Sequence, residues 1–392
     1  MTMGPSTRHA VGISPGRNPF PGDIGLFYRG AHLISQGRNP YTADRTYSTY
    51  PPLWMGYSYL ASEVSRSSGL PFGLFFKGID ILADLGTTGL IFLALVSAGR
   101  TTRTAFWLTT LFACNPVSII ITSLHGPNDP VILFLIVLAW WWADRNRFWL
   151  AYLALGVGIA IKVYPVLLVP FFLLRDPAPL SRKGIAAFLI PLPFMLALIP
   201  YWLEYEAVVR QVGAYSGVTD FGYLSIVRTW MILHREGLPG APELWPAALM
   251  IGKVSFLLIY ACILVRYRRY ALARSCLAVF LLFLCVYGGI SAQYHIWVIA
   301  PALLPGSGFR WKALATYSVL GAVAILIFYS IFHPGMFLGE ARLPASISST
   351  DLWIHIGMNA ILWVMTVAWA VRVILKPLGF APPSQDEAGT SG

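Results

Sequence analysis

The chain has 392 residues, of which 57% are hydrophobic and only 11% charged. Soluble domains carry about 25% charged residues, so this balance excludes an ordinary water-soluble domain and points to a protein built for lipid. A formal net charge of +11 raises the question of a nucleic-acid partner, but the basic residues stand in short clusters between apolar runs. That placement is a topology signal, and no nucleic-acid partner is expected. The 14 Trp and 19 Tyr are amphipathic aromatics suited to headgroup depth. Cys114, Cys262, Cys276 and Cys285 all fall in apolar runs without metal-ligand spacing. They read as small core residues with no disulfide framework.

In chain order, residues 1–21 are rich in Gly, Pro, Ser and Arg, lack the apolar core of a signal peptide and read as a flexible N-terminus. Residues 22–71 form a polar, turn-rich outer loop with interfacial helices. Ile24, Phe27, Tyr28, Ala31 and Ile34 recur at helical spacing. Asp23 stands where an N-cap belongs, and Gly37 with Asn39-Pro40 closes the helix. This helix is too polar to span a bilayer and is expected to lie along its interface. Apolar segments follow near 72–97, 105–124, 130–143, 148–161, 164–174, 185–202, 244–265, 275–292, 296–306, 313–332 and 352–373. They predict an all-α, polytopic transmembrane helical bundle over 72–376, with about eleven membrane segments and a long outer loop at 203–243. The runs 130–143 and 148–174 depart from the roughly 20 residues of a straight span and are expected to be broken, tilted or locally thin. Residues 377–392 read as a disordered cytoplasmic tail.

Basic clusters occupy alternate loops: Arg100 and Arg103; Arg145 and Arg147; Arg175, Arg182 and Lys183; Arg266, Arg268, Arg269 and Arg274; Arg310 and Lys312; Arg372 and Lys376. The positive-inside rule assigns these loops to the cytoplasm. The opposite set, which includes 22–71, 125–129, the 162–164 break, 203–243, 293–295 and 333–351, then faces outward and carries Asp23. This scheme needs an odd number of helices after Asp23 with none before it. Either the N-terminus is translocated unaided or a first helix is missing from the chain, and the second is expected. No internal repeat pairs two broken helices, which argues mildly against a transporter.

The polar residues gather on the outer side. Asp23 is a helix cap or a functional carboxylate. Asn128 and Asp129 precede Pro130, so capping explains them as well as ligand binding does. In the functional version, the same helix start with His125 offers amide donors to a phosphate. Lys162 interrupts GVGIAIKVYPVLLVPFF, where a lysine at the bilayer centre costs about 2.5–3.5 kcal/mol on insertion scales. It is a snorkelling side chain or a cation awaiting an anionic headgroup, and the break at Pro165 favours the latter. Lys77, Asp80 and Asp84 lie one turn apart and read as a structural ion pair inside the bundle. The loop 203–243 carries Asp220, Arg228, His234 and Arg235, and a loop of that length either works or is disordered. Gln293 and His295 sit where a span emerges outward, as a capped helix end or as substrate contacts.

Four patches occur in order: Asp23-Ile24 with GRNPY (37–41) and YPPL (50–53); HGPND (125–129); KVYP (162–165); and SAQY (291–294) with Trp297. With them the chain resembles the GT-C fold glycosyltransferases, polytopic enzymes that use polyprenyl-phosphate sugars. Within that class it is similar to GPI mannosyltransferase I and to the bacterial polyprenol-phosphate-mannose-dependent mannosyltransferases. The resemblance implies a catalytic Asp at Asp23 and a donor-phosphate site drawing on Lys162 and Tyr164. Two departures stand out. The eukaryotic relatives carry an Asp-x-Asp pair where this chain has Pro21 before Asp23, so a metal bridging two carboxylates is not expected. The family's first transmembrane helix also has no counterpart here.

The chemistry agrees with this expectation. A lipid-linked donor leaves as a phosphate, which needs cations and amides more than a general acid. Lys162, Tyr164, Arg228 and His125 with its helix start are the candidates. The acceptor hydroxyl needs one base, Asp23, and without a second carboxylate as nucleophile the outcome is inversion. Asn128, Asp129, Gln293, His295 and Tyr50 are candidate substrate contacts. No metal ligands are indicated, and no cofactor is expected beyond the polyprenyl-phosphate sugar as donor substrate. The expected partners are membrane lipid, that donor, and a glycan, lipid or protein acceptor. The expected activity is transfer of mannose on the non-cytoplasmic face, a side that disfavours an aqueous sugar-nucleotide donor. A transporter or flippase of a lipid-linked sugar is the rival, and it requires charges lining a path through the bundle.

Overall fold

The computed structural model describes residues 22–43, 49–125, 128–215, 217–234, 241–267, 270–308, 310–333 and 347–375. The first helix, α1 (Gly22–Ser35), buries Ile24, Phe27 and Ala31 on the stripe its spacing predicts. Gly37, at φ 68°, ends it by returning amide hydrogens to the Ile34 and Leu33 carbonyls through residues 37 and 38. Asp23 lies inside the first turn of α1 rather than at the cap position expected of it, because the helix already begins at Gly22.

After α1 come a short α2 (Pro40–Ala43), α3 (Pro52–Ser68), α4 (Phe72–Ser97), α5 (Thr102–Ala113) and α6 (Pro116–Ile120), which runs into a π turn at Ile121–His125. Then follow α7 (Asp129–Asp144), α8 (Phe148–Ile161), a 3₁₀ turn at Tyr164–Leu168 and α9 (Val169–Arg175). Next are α10 (Leu180–Ala187), α11 (Leu192–Leu198), a 3₁₀ turn at Ile199–Glu204, α12 (Tyr205–Ala214), α13 (Gly222–His234) and α14 (Ala241–Tyr267). The chain ends with α15 (Leu272–Val286), a 3₁₀ helix at Ala292–Val298, α16 (Ile299–Leu303), α17 (Trp311–Phe332) and α18 (Ser349–Leu375).

Among the described residues, six stretches are long and apolar enough to cross a membrane: 72–97, 102–123, 180–213, 247–266, 311–332 and 349–375. Phe148–Ile161, Tyr164–Arg175 and Leu272–Val286 are shorter apolar helices. The protein is therefore an all-α, multi-pass membrane protein. Large apolar side chains such as Leu82, Leu203, Leu258 and Val265 point outward, as a lipid-facing surface requires.

The expected break after 161 is present. Lys162 is extended (φ −156°, ψ 133°) and Pro165 cannot continue a helix, so α8 stops and a 3₁₀ turn resumes. The stretch 180–213 is divided for the same reason by Pro191, Pro193 and Pro200. It packs onto α8 at Gly156, where a Cβ would stand 2.5 Å from the Ile190 carbonyl oxygen. Residues 203–243 are largely helical, through α12, α13 and the start of α14.

Two further readings are corrected. Cys276 and Cys285 are buried, but Cys114, at the C-cap of α5, and Cys262, on α14, are exposed and so are not core residues. Lys77 forms no ion pair with Asp80 or Asp84. Its ammonium donates to the Thr122 carbonyl (3.2 Å) and to that of Ser123, which the wider winding of the π turn leaves available. Asp84 instead accepts from the Thr122 hydroxyl (2.8 Å) and the Ser118 hydroxyl (3.3 Å).

Candidate active site

Contacts among Asn39, Tyr41 and Tyr50 help bring the first two site residues together. Asn39 accepts the Tyr41 amide in a side-chain turn (2.9 Å), and the buried Tyr41 hydroxyl donates to the Tyr50 carbonyl (2.7 Å). Pro51 and Pro52 then start α3. Held this way, Tyr50 packs edge-on against Phe27 of α1, with centroids 5.0 Å apart, and its hydroxyl donates to Asp23 Oδ2 at 2.6 Å. Burial, and then the Asp23 carboxylate, hold the Tyr50 hydroxyl well above the ordinary phenol range, so it stays a donor.

The second group is built at the break after α8. The Lys162 ammonium pairs with Asp129 Oδ2 at 2.7 Å, and Trp297 Nε1 donates to Asp129 Oδ1 at 2.7 Å. Asp129 opens α7 yet is wholly buried, so its carboxylate serves Lys162 and Trp297 rather than the helix end. The Lys162 ammonium also stands 5.1 Å from the ring centre of Tyr294 and 5.9 Å from that of Tyr50. Tyr164 stacks on Trp297 with centroids 3.7 Å apart.

Tyr50, Lys162, Tyr164, Tyr294 and Trp297 border a cavity of about 790 Å³ that Tyr215 also lines. Its other lining is mainly aliphatic and aromatic, with a second lysine, Lys253, and no carboxylate among the described residues. Tyr215 is carried on a loop that Gly217, at φ 81°, lets pass close to Gly289, where a Cβ would meet the carbonyl oxygen at 2.4 Å. Burial of its hydroxyl, followed by Asp23, pushes Tyr215 up to about 12, and Tyr215 is hydrogen-bonded to Tyr294. A smaller, apolar cavity of about 480 Å³ is bordered by Trp54, Tyr57, Val131 and, from the end of α8, Ile161.

The structure thus joins Asp23, Tyr50, Asp129, Lys162 and Tyr164. Asn128 occupies the cap position of α7 without a capping bond; it is fully buried and neither amide atom has a hydrogen-bond partner. Gln293 accepts from the Ser291 hydroxyl (2.7 Å), and His295 Nδ1 lies 2.6 Å from the Tyr317 hydroxyl, both away from the cavity wall. The cause is the 3₁₀ winding of 292–298, which puts Tyr294 and Trp297, three residues apart, on the cavity side. Arg228 is exposed on α13, where it donates to the Thr219 carbonyl (3.3 Å) outside the cavity. The side chain of His125 lies outside the described residues. Among the described residues no three His, Cys, Asp or Glu side chains are grouped to share a metal ion.

Tyr215, Tyr294 and Lys253 were not singled out by sequence. Lys253 carried a usable signal, being a cation inside an apolar span like Lys162.

A family model described as glycosyltransferase family 87 matches residues 49–286, more than half of the chain. GPI mannosyltransferase 1 of Gibberella zeae is 24% identical over 360 residues, covering 81% of this chain and 82% of that protein. The protein of the same name from Debaryomyces hansenii is 26% identical over 230 residues, with coverages of 53% and 49%. That from Saccharomyces cerevisiae is 29% identical over 147 residues, with coverages of 37% and 34%. The chain therefore spans between a third and a half of those last two relatives.

Proposed function

This chain belongs to glycosyltransferase family 87, and from that premise we propose that it transfers mannose from a polyprenyl-phosphate donor to an acceptor hydroxyl on the non-cytoplasmic face, with inversion. The observation that carries the proposal is the pairing of one tyrosine-held carboxylate, Asp23, with an aromatic, lysine-bearing cavity that, among the described residues, no carboxylate lines. An anionic headgroup on a long apolar tail matches that cavity in both charge and hydropathy. The alternation of basic loops supports the side, and the names of the relatives support the sugar.

In this mechanism the acceptor oxygen attacks the anomeric carbon while its proton passes to Asp23. The bond from the anomeric carbon to the phosphate oxygen breaks, and its electron pair stays on the phosphate. Tyr50 orients Asp23 through Oδ2. Lys162, held in place by Asp129 and Trp297, presents an ammonium to the phosphate, so stabilisation is in place before charge develops. A single carboxylate base gives direct displacement, hence inversion. The flippase reading fits less well, because none of Lys77, Asp80 and Asp84 borders the cavity, and the Lys77 ammonium is turned to the Thr122 and Ser123 carbonyls.

The test is sugar transfer by membranes holding the wild-type chain or Asp23→Asn, with a panel of polyprenyl-phosphate sugars and a mixed acceptor extract. The expected result is consumption of polyprenyl-phosphate mannose by wild type, reduced about 10²–10⁴-fold in the variant, the range for losing a general base. Equal transfer by both would reduce Asp23 to a structural residue. No transfer by wild type from any donor would bring the flippase reading forward.

A further inference from the structure

Lys77, Asp80 and Asp84 fall on one stripe of α4, inside a span of mean hydropathy 1.9. The two ends of the stripe both reach the segment that precedes α7. The Lys77 ammonium donates to the Thr122 (3.2 Å) and Ser123 carbonyls, and Asp84 Oδ2 accepts from the Ser118 (3.3 Å) and Thr122 (2.8 Å) hydroxyls. Asp80 stands between them and is buried. Helices α4 and α7 run side by side in one register. A Cβ on Gly86 would stand 2.7 Å from the Phe134 ring, and Ser97 accepts from Arg145 at 3.1 Å, each pair 48 positions apart. The same offset sets Asp80 level with Asn128, the wholly buried residue at the cap of α7.

Among the described residues, Asp80 Oδ1, Asp84 Oδ1 and both amide atoms of Asn128 are buried without a hydrogen-bond partner. Each such orphan is destabilising, and an apolar side chain at any of the three positions would avoid it. Three unmatched acceptor oxygens from two neighbouring helices suit a hard cation, which takes oxygen ligands. The charge agrees. With both carboxylates ionised, Lys77, Asp80 and Asp84 together carry one negative charge. Asp129 and Tyr57 also lie within electrostatic range of Asp80, but Asp129 is already matched by Lys162 at 2.7 Å. One uncompensated charge at this depth is costly. A water molecule leaves the charge in place. A proton neutralises one carboxylate and leaves the other, with the amide, unmatched. A divalent ion overshoots the charge. A single monovalent cation answers the charge and the oxygens together.

We propose that Asp80, Asp84 and Asn128 form a site for one monovalent metal cation, buried between α4 and the start of α7. None of the three lines the 790 Å³ cavity, and the site does not depend on the donor reading. Its cation ties α4 to the residue before Asp129, and so steadies the carboxylate that holds Lys162.

The experiment is equilibrium binding of radiolabelled sodium to the purified full chain in detergent, with choline chloride holding the ionic strength, as wild type, Asp80→Asn and Asn128→Ala. Wild type is expected to bind one ion per chain, displaced by unlabelled sodium chloride. Asp80→Asn should bind about 10- to 100-fold more weakly, the scale of one charged contact, and Asn128→Ala about 2- to 10-fold more weakly, the scale of a neutral one. Neither substitution removes a hydrogen bond seen among the described residues, so both chains should fold. Thermal unfolding gives a second reading: sodium chloride should raise the wild-type midpoint above that in choline chloride, and should raise that of Asp80→Asn less. No sodium bound by wild type, or binding of equal strength in all three chains, overturns the inference. Displacement of sodium by magnesium at equal concentration overturns the monovalent assignment. A midpoint that responds to acid and not to sodium gives the charge to a proton, and overturns it equally.

Discussion

Breaking the Lys162–Asp129 pair from its two ends should have unequal consequences. The Asp129 side chain has no exposed surface, whereas that of Lys162 is 11% exposed and borders the cavity. Lys162→Gln leaves a wholly buried carboxylate with Trp297 Nε1 as its remaining strong donor. Removing one partner of a buried pair costs about 3–5 kcal/mol, and this is the case where the full amount applies. Asp129→Asn keeps an acceptor for Trp297 and leaves the Lys162 ammonium at the cavity, near the rings of Tyr294 and Tyr50. Each such ring contact contributes about 0.5–1 kcal/mol, and cavity water supplies more, so the expected loss is about 1–3 kcal/mol. The assay is a double-mutant cycle on reversible unfolding in mild detergent. The doubly substituted chain should be more stable than Lys162→Gln alone, because no buried charge remains. In decaprenyl phosphate binding the signs should also diverge. Lys162→Gln loses affinity, while Asp129→Asn retains or gains it, since the ammonium is no longer neutralised. An equal or reversed order of stabilities, or additivity within about 0.5 kcal/mol, would refute the reasoning.

Tyr50→Phe removes a 2.6 Å hydrogen bond to the Asp23 carboxylate. That bond favours the ionised form, so the acid limb of the kcat/KM profile for sugar transfer should move to higher pH, with the fold retained; an unmoved limb would show that Tyr50 does not act on the base. Although Tyr215 as a residue is 40% exposed, desolvation of its hydroxyl, and then the Asp23 carboxylate, hold it up to about 12 in the folded chain, against 10.0 for a free phenol. A group raised in this way contributes stability that is complete below pH 10 and is lost as pH climbs through 12. Tyr215→Phe should therefore flatten the decline of thermal stability between these pH values, and a decline as steep as that of wild type would count against the burial of that hydroxyl.

The fold class was legible because hydropathy alone separates lipid-facing runs from loops, and proline marks breaks wherever it stands. The end of α8 at Lys162 followed from Pro165, and the end of α1 from Gly37. The site was legible only where a residue was anomalous for its surroundings. Lys162 was conspicuous in an apolar run, but nothing in its neighbourhood names Asp129, 33 positions earlier, as its partner. Gln293 and His295 drew attention as the polar members of SAQYHIW, yet the aromatic residues Tyr294 and Trp297 face the cavity. Three residues per turn and 3.6 residues per turn select different faces of the same seven residues, and only the backbone decides between them. The supposed ion pair of Lys77 failed for a related reason, since the carbonyls it uses come from a π turn that the composition of 121–125 does not announce.

The proposed base and the proposed phosphate end are not independently placed. Asp23 is held by the hydroxyl of Tyr50, the ring of Tyr50 faces the Lys162 ammonium, Lys162 pairs with Asp129, and Asp129 takes the indole hydrogen of Trp297. The three hydrogen-bonded links are 2.6–2.7 Å long, the Tyr50 ring centre stands 5.9 Å from the ammonium, and the Asp129 and Trp297 end is buried, so helix α1 is tied to the broken helix after α8 and to the 3₁₀ helix at 292–298. Direct displacement requires the acceptor oxygen and the leaving phosphate on opposite sides of one carbon, and small errors in that alignment lose large factors in rate. A chain of contacts that fixes the carboxylate relative to the ammonium sets this alignment before either substrate arrives. It also explains why Tyr50, which transfers no proton in the proposed mechanism, occupies the middle of the site.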